Sequence, residues 1–435
     1  MIIVPALVIS LASVWWSGSG DAGTHAELPV PFPGPLTSWA EHVEAIDRAI
    51  ATHQQRAGRE PTDWLSPSAE AASWIDRASM TGRWQDYAEA ERALAMAMAR
   101  APESNKPYPL AARLALALHR NQAVEPALTA AVADRTFREV APQADAAAMR
   151  GDVAMYQGDW QTADRLYLSA MTASPDAAFA MRRAFILERT GEAGMAHQAW
   201  IDAAWVNPRP TRRMLAAIAL RLGHHDMTRG QWSEAAAHYA DAGRLLPGDW
   251  HVAASLLQMR ALDGDLAGAL AGMEALAQRH DLPELWDAVA AWKQAAGDAN
   301  GARVALDRAA RGWHDWTARY PEAAAAHAAD HALIAGDRDA AVRWAEANYR
   351  QRPYGDAAIL LATALTAKGD YARARALLTP VTASGWRTME GDRLGFELAA
   401  LAGDGDAAEA ARSAALERNP RAFDPAARLI LFGLH

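Results

Sequence analysis

Eight glycines set the frame of this chain. From Gly158 they recur at Gly191, Gly230, Gly264, Gly297, Gly336, Gly369 and Gly403, at intervals of 33, 39, 34, 33, 39, 33 and 34 residues. Other residues hold fixed places behind them. Gly158 is followed by Trp160, Ala163, Tyr167, Ala170 and Pro175. Gly191 is followed by Ala193, Ala196, Trp200, Ala203 and Pro208, and Gly230 by Trp232, Ala235, Tyr239, Ala242 and Pro247. A period near 34 means a stack of repeated units, each hiding its apolar flank against the unit before it and the unit after it.

The physics of one unit follows from residue type. Glycine ends a first helix, because only glycine takes a left-handed cap without steric cost. Aspartate comes next at Asp159, Asp265, Asp298, Asp337, Asp370 and Asp404, where it caps the start of a second helix. In that second helix the fifth, ninth and twelfth residues after the glycine share one face. Small alanines at the fifth and twelfth let helices approach. The bulkier ninth residue (Tyr167, Trp200, Tyr239, Met273, Leu306, Leu378) fills the space between them. Proline seventeen residues on ends the helix.

This spacing resembles the tetratricopeptide repeat family, over about residues 66–421. The match is best at 145–175, 178–208 and 217–247, where Leu222-Gly223 also fits the family's first-helix pattern, and weaker at Gly297 and Gly403. Two poorer units turn at Gly82 and at Asn121, which stands where glycine is expected. The count is therefore about ten, with 38–65 as a cap or a divergent pair. The resemblance implies an all-α fold, a right-handed α-solenoid across 38–435. Its concave groove would bind a peptide or a partner protein, with no cofactor and no enzymatic activity.

In that family first helices line the groove. The chaperone-binding subgroup carries a Lys and an Asn there, four residues apart. The matching positions here are Ala148/Asp152, Met181/Phe185, Leu220/His224, Ala254/Gln258 and Asp287/Ala291, with no Lys–Asn pair. The expected groove is instead mixed, with Asp152, Tyr156, Met181, Phe185, Glu188, Arg189, Leu220 and His224 as its binding residues. Such a surface suits an amphipathic helix or an extended segment of a partner.

Net charge is −9, which argues against nucleic acid as a partner, since that calls for a basic face. The absence of cysteine excludes disulfides, thiol catalysis and a lipidated cysteine. His327 and His331 are four apart, a two-ligand spacing, but the metalloprotease glutamate after His327 is missing. His224-His225-Asp226 is a similarly weak metal signal, because adjacent histidines point in different directions on a helix. Asp263/Asp265, Asp298/Asn300 and Asp404/Asp406 look like calcium-loop fragments but lack the closing Glu, and capping explains them. No phosphate-binding glycine loop or serine-nucleophile motif occurs.

The ends carry separate expectations. Residues 1–16 (MIIVPALVISLASVWW) are uncharged. As a helix they would span about 24 Å, short of a bilayer core of about 30 Å. They read as a signal or membrane-anchor segment, although no Lys or Arg precedes Arg48. Residues 17–37 read as a linker, flexible at Ser17–Gly20 and semi-rigid where Pro29, Pro31, Pro33 and Pro35 alternate. Together they point to an exported or membrane-tethered scaffold in a bacterial envelope assembly, periplasmic or anchored in the inner membrane. The alternative is a cytoplasmic adaptor or chaperone-like regulator. A helix that outruns its frame should carry Trp313 and Trp316 against a neighbour and end at Tyr320-Pro321. A last helix from Asp424-Pro425 to His435 should fold back as a lid.

Overall fold

The computed structural model of the chain describes residues 28–31, 36–131, 137 and 139–433. The segment 1–16 and most of 17–37, with their expected anchor or signal role, lie outside the described residues. Among the described residues there are twenty-one α-helices and no strand. No helix among them is long and apolar enough to cross a membrane.

Helix α1 (Trp39–Arg59) opens the solenoid. Ser38 and Glu41 form a reciprocal capping box at its start. Ten hairpins follow. They are α2 (Leu65–Thr81) with α3 (Gln85–Arg100), α4 (Tyr108–Ala117) with α5 (Val124–Ala131), and α6 (Val140–Tyr156) with α7 (Trp160–Ala173). Next come α8 (Ala177–Arg189) with α9 (Ala193–Val206), α10 (Arg212–Thr228) with α11 (Trp232–Leu245), and α12 (Trp250–Leu262) with α13 (Leu266–His280). The series ends with α14 (Pro283–Ala295) and α15 (Ala299–Arg319), α16 (Pro321–Ala335) and α17 (Arg338–Gln351), α18 (Gly355–Lys368) and α19 (Tyr371–Ala383), and α20 (Met389–Leu401) and α21 (Gly405–Arg418).

The glycine frame is a frame of left-handed residues. Gly82, Gly158, Gly191, Gly230, Gly264, Gly297, Gly336, Gly369 and Gly403 all have φ between 70° and 98°. All six frame aspartates cap the following helix through the side chain; Asp159, for example, accepts from Thr162 N at 3.0 Å. Behind the turn, Ala163, Ala196, Ala235 and Tyr239 are fully buried. Gly223 is what admits Tyr239: a Cβ there would stand 2.4 Å from the Tyr239 ring, and Gly151 stands in the same relation to Tyr167.

Where the frame breaks, the chain compensates. Asn121 lies in a 3₁₀ turn, and the left-handed residue is His119, at φ 55°. A non-glycine residue there carries about 1–2 kcal/mol of strain, and its ring is held by Arg352 Nη1 at 3.1 Å. The 21-residue α15 carries Trp313 and Trp316 inward as a stacked pair, with ring centroids 5.2 Å apart.

Two expectations need correction. First, the units do not touch only their immediate neighbours. Successive turns of the coil meet. Trp250 Nε1 donates to Met80 O at 3.1 Å, Tyr320 OH to Glu91 at 2.9 Å, Trp160 Nε1 to Ser384 O at 3.2 Å, and Asn419 Nδ2 to Thr228 O at 2.9 Å. One apolar cluster joins α6 and α7 to α18 and α19, so the first turn is buried by the second. The open trough is thereby walled on its far side.

Second, the end of the chain is not a helix to His435. Asp424 caps a five-residue 3₁₀ turn, Pro425–Leu429, after which Ile430 is extended and the chain bends at Phe432 and Gly433. Its backbone is taken instead by side chains of α12 and α14, described below. Of the linker, Leu28 lies against Ala219, Ala242 and Val252, so that part is docked on the solenoid and is no free spacer.

Candidate functional site

First helices supply most of the interior lining, joined by the second-helix rings Tyr167, Trp200 and Trp313. Along the axis lie two cavities of about 560 and 660 Å³, which share Met181, Arg221 and His327 as a common wall. Of the expected binding residues, Asp152, Tyr156, Met181 and Phe185 face the first, and Met181, Leu220 and His224 face the second. Glu188 and Arg189 line neither. They border a separate crevice of about 40 Å³ toward Arg387 and Glu390.

The first cavity is rimmed by aromatic and charged groups from both turns. The Tyr156 and Tyr354 rings meet edge to face at 5.5 Å, with Arg352 over both. Asp152 is already engaged: it holds Arg182 in a two-point ion pair at 2.7 and 3.0 Å and accepts from Tyr167 OH at 2.9 Å. Burial, with Arg352 beside it, lowers His119 to about 3. Burial and Arg221 do the same to His224. Both rings are neutral donor–acceptors at ordinary pH. Burial raises the Tyr156 hydroxyl above its usual range.

The second cavity is more acidic. Asp287 accepts from Trp313 Nε1 at 2.6 Å and pairs with His331 Nδ1 at 2.6 Å. Burial, with Asp287 next to it, pushes Glu284 up to about 7. The structure places His327 away from any shared ligand position with His331. Its ring stacks on Trp313 and Trp316, at 5.5 and 5.8 Å.

The chain's own end enters this second cavity. Gln258, fully buried on α12, accepts from Leu431 N at 2.6 Å and Phe432 N at 2.9 Å, and donates to Phe432 O at 3.1 Å. Trp292 Nε1 donates to Leu429 O at 3.0 Å. These bonds reach backbone groups only, so the inner face can hold a segment of chain that lacks a helical ladder, largely irrespective of its sequence. Ile430, Leu431, Phe432 and Gly433 form part of the cavity wall.

No family model matches the sequence, and no curated protein matches it. Among solved structures the chain is similar to yeast Tom70, at 15% identity and a TM-score of 0.35, over 88% of this chain and 95% of that one. It is also similar to a Rap protein complexed with competence and sporulation factor, at 12% identity and a TM-score of 0.47, over 72% of this chain and 95% of that one. A third is the APC/C hetero-tetramer Cut9–Hcn1, at 15% identity and a TM-score of 0.42, over 87% of this chain and 77% of that one. The chain is a tetratricopeptide-like α-solenoid. That assignment stands on its left-handed glycines, capped second helices and ten stacked hairpins.

Sequence reasoning named Asp152, Tyr156, Met181, Phe185, Leu220 and His224, which the structure places on the cavity walls, and Glu188 and Arg189, which it does not. His327, Arg352, Tyr354 and Asp356 were not singled out for the groove, because the repeat pattern says which helix faces inward but not which turn lies opposite; Arg221, beside Leu220 on α10, was passed over as well. Gln258 did occupy a clamp position, and its amide was the available signal.

Proposed function

We propose that this chain is a protein-interaction scaffold that holds an extended segment of a partner protein along its axial cavities. The observation that carries this is the way Gln258 and Trp292 grip the backbone of residues 429–432. The tail is a cis occupant of a surface that bonds the backbone of a non-helical segment. Beyond it the cavity continues past His224, Leu220 and Met181, where apolar side chains of a partner would seat.

The test uses a chain truncated after Asp424 and a labelled peptide of residues 424–435. The peptide should bind in trans, and Gln258→Ala should weaken it at least about tenfold, the loss of two to three backbone hydrogen bonds. No binding by the truncated chain, or binding indifferent to Gln258→Ala, contradicts the proposal. For the native partner, recovered by cross-linked purification from the host, alanine at Met181 and Phe185 should reduce capture. Unchanged capture moves the site elsewhere.

Export or tethering in an envelope assembly is part of the same proposal, supported by the uncharged run of residues 1–16. A cytoplasmic adaptor is the alternative. Fractionation separates them: the first puts the chain in membrane or periplasm, the second in cytosol.

A further inference from the structure

A cluster of imidazoles lies away from the axial cavities, where three helices of two successive repeats converge. His197 is on α9, His225 and Asp226 on α10, and His238 on α11. One ligand atom each from His197, His225 and Asp226 lie within 4.8 Å of one another. His225 and Asp226 are each 2% exposed. The His197 side chain is about one-third exposed, at 34%, so the cluster has a door to solvent.

In the chain order only the adjacent His225-Asp226 stands together. The helix hairpin brings the third member. The repeat frame sets His197 six residues after Gly191, and His225 and Asp226 five and four residues before Gly230. Helices that pack side by side in every unit here happen to present donors to a common point.

We propose that His197, His225 and Asp226 form a binding site for a divalent first-row transition metal of the zinc class. The donor set is two imidazoles and one carboxylate, which suits such ions, and the chain offers no thiolate to compete. The surroundings fit. His238 Nδ1 lies 2.7 Å from Asp226 Oδ2, fixing the carboxylate from behind. Glu188 Oε2 lies 3.8 Å from the buried His225 Nδ1. Such outer partners orient ligands and tune their basicity. Arg229, close enough to feel Asp226, is the neighbouring cation the ion must tolerate.

A bound ion would cross-link α9, α10 and α11, stapling one repeat to the next. This proposal is independent of the peptide-binding reading, because the cluster lines neither axial cavity.

The experiment uses the untagged full chain, stripped with chelator and titrated with Zn²⁺ and with Co²⁺, whose visible absorption reports ligand geometry. One equivalent should bind, with a rise in melting temperature. His197→Ala should weaken binding by at least about a hundredfold, using the scale on which even outer partners cost ten to a hundredfold. Because His197 reaches solvent, this variant keeps the fold, which circular dichroism checks. His331→Ala, at the other histidine pair, should leave binding unchanged. No stoichiometric metal, or binding that survives His197→Ala, overturns the proposal.

Discussion

Arg189 and Asp356 stand 167 positions apart and meet with Nε 3.0 Å from Oδ2. Their side chains are 7% and 9% exposed. This is the centre of the contact between successive turns of the coil. Asp356 also accepts from Trp386 Nε1 at 2.9 Å, and Arg189 pairs with Glu188 at 3.0 Å. Burial opposes ionisation of Glu188, but the His225 ring and Arg189 outweigh it and hold its carboxyl at about 2. Removing one member strands a buried charge. Asp356→Ala should cost about 3–5 kcal/mol, read as a lower urea midpoint.

The turn glycines divide into two groups with different costs. A Cβ at Gly336 would meet nothing within 4 Å, so Gly336→Ala bears only the left-handed backbone, about 1–2 kcal/mol. A Cβ at Gly230 would stand 2.3 Å from Asn419 Oδ1, across the contact between turns. Gly230→Ala should therefore cost clearly more than Gly336→Ala in the same denaturation assay. Equal costs would mean that the turns do not touch there.

Gly223→Ala tests packing within one hairpin. The added methyl would sit 2.4 Å from the Tyr239 ring, which is fully buried. Overpacking of this kind costs about 1–3 kcal/mol. Pairing it with Tyr239→Leu should restore much of the loss, and thermal melts of the three variants give the comparison.

The cavities predict a stability maximum bounded on both sides by pH. Glu284 is raised in the fold to about 7 from an ordinary 4.5. Its contribution is fully present below the unfolded value and is lost as pH rises through about 7. Asp287, Asp330 and Trp313 share that wall, and His331 pairs with Asp287. Since Glu284 is only half-buried, the loss is on the order of 1–2 kcal/mol, and Glu284→Gln should remove it. His119 and His224 are lowered to about 3. Their contribution is present above the unfolded value near 6.5 and is lost as pH falls. Urea midpoints taken across pH 4–9 measure both slopes.

How far the sequence reached depends on the range of the interaction. The hairpins were legible because their causes are local: a left-handed residue at Gly158, a cap at Asp159, a ring at Tyr167 facing Gly151. Ten hairpins and the inward face of Met181 followed from those. The pitch of the coil did not follow, because it is set by small rotations at each interface that no residue marks. Glu91 beside Tyr320, or Tyr156 beside Tyr354, was therefore invisible. The tail failed for another reason. A proline start and an apolar run, Leu429 to Leu434, read as helix, but backbone partners on Gln258 and Trp292 outbid an internal ladder.

The closed coil is the claim on which the axial cavities rest, and amide hydrogen exchange at Arg387 tests it most directly. That residue is in a loop between α19 and α20, and its N–H donates to Arg189 O at 2.5 Å across the contact between turns. A closed coil predicts strong protection at Arg387, reduced when Asp356→Ala loosens the junction. Exchange at the rate of an open loop would show that the turns stand apart and the cavities are not enclosed.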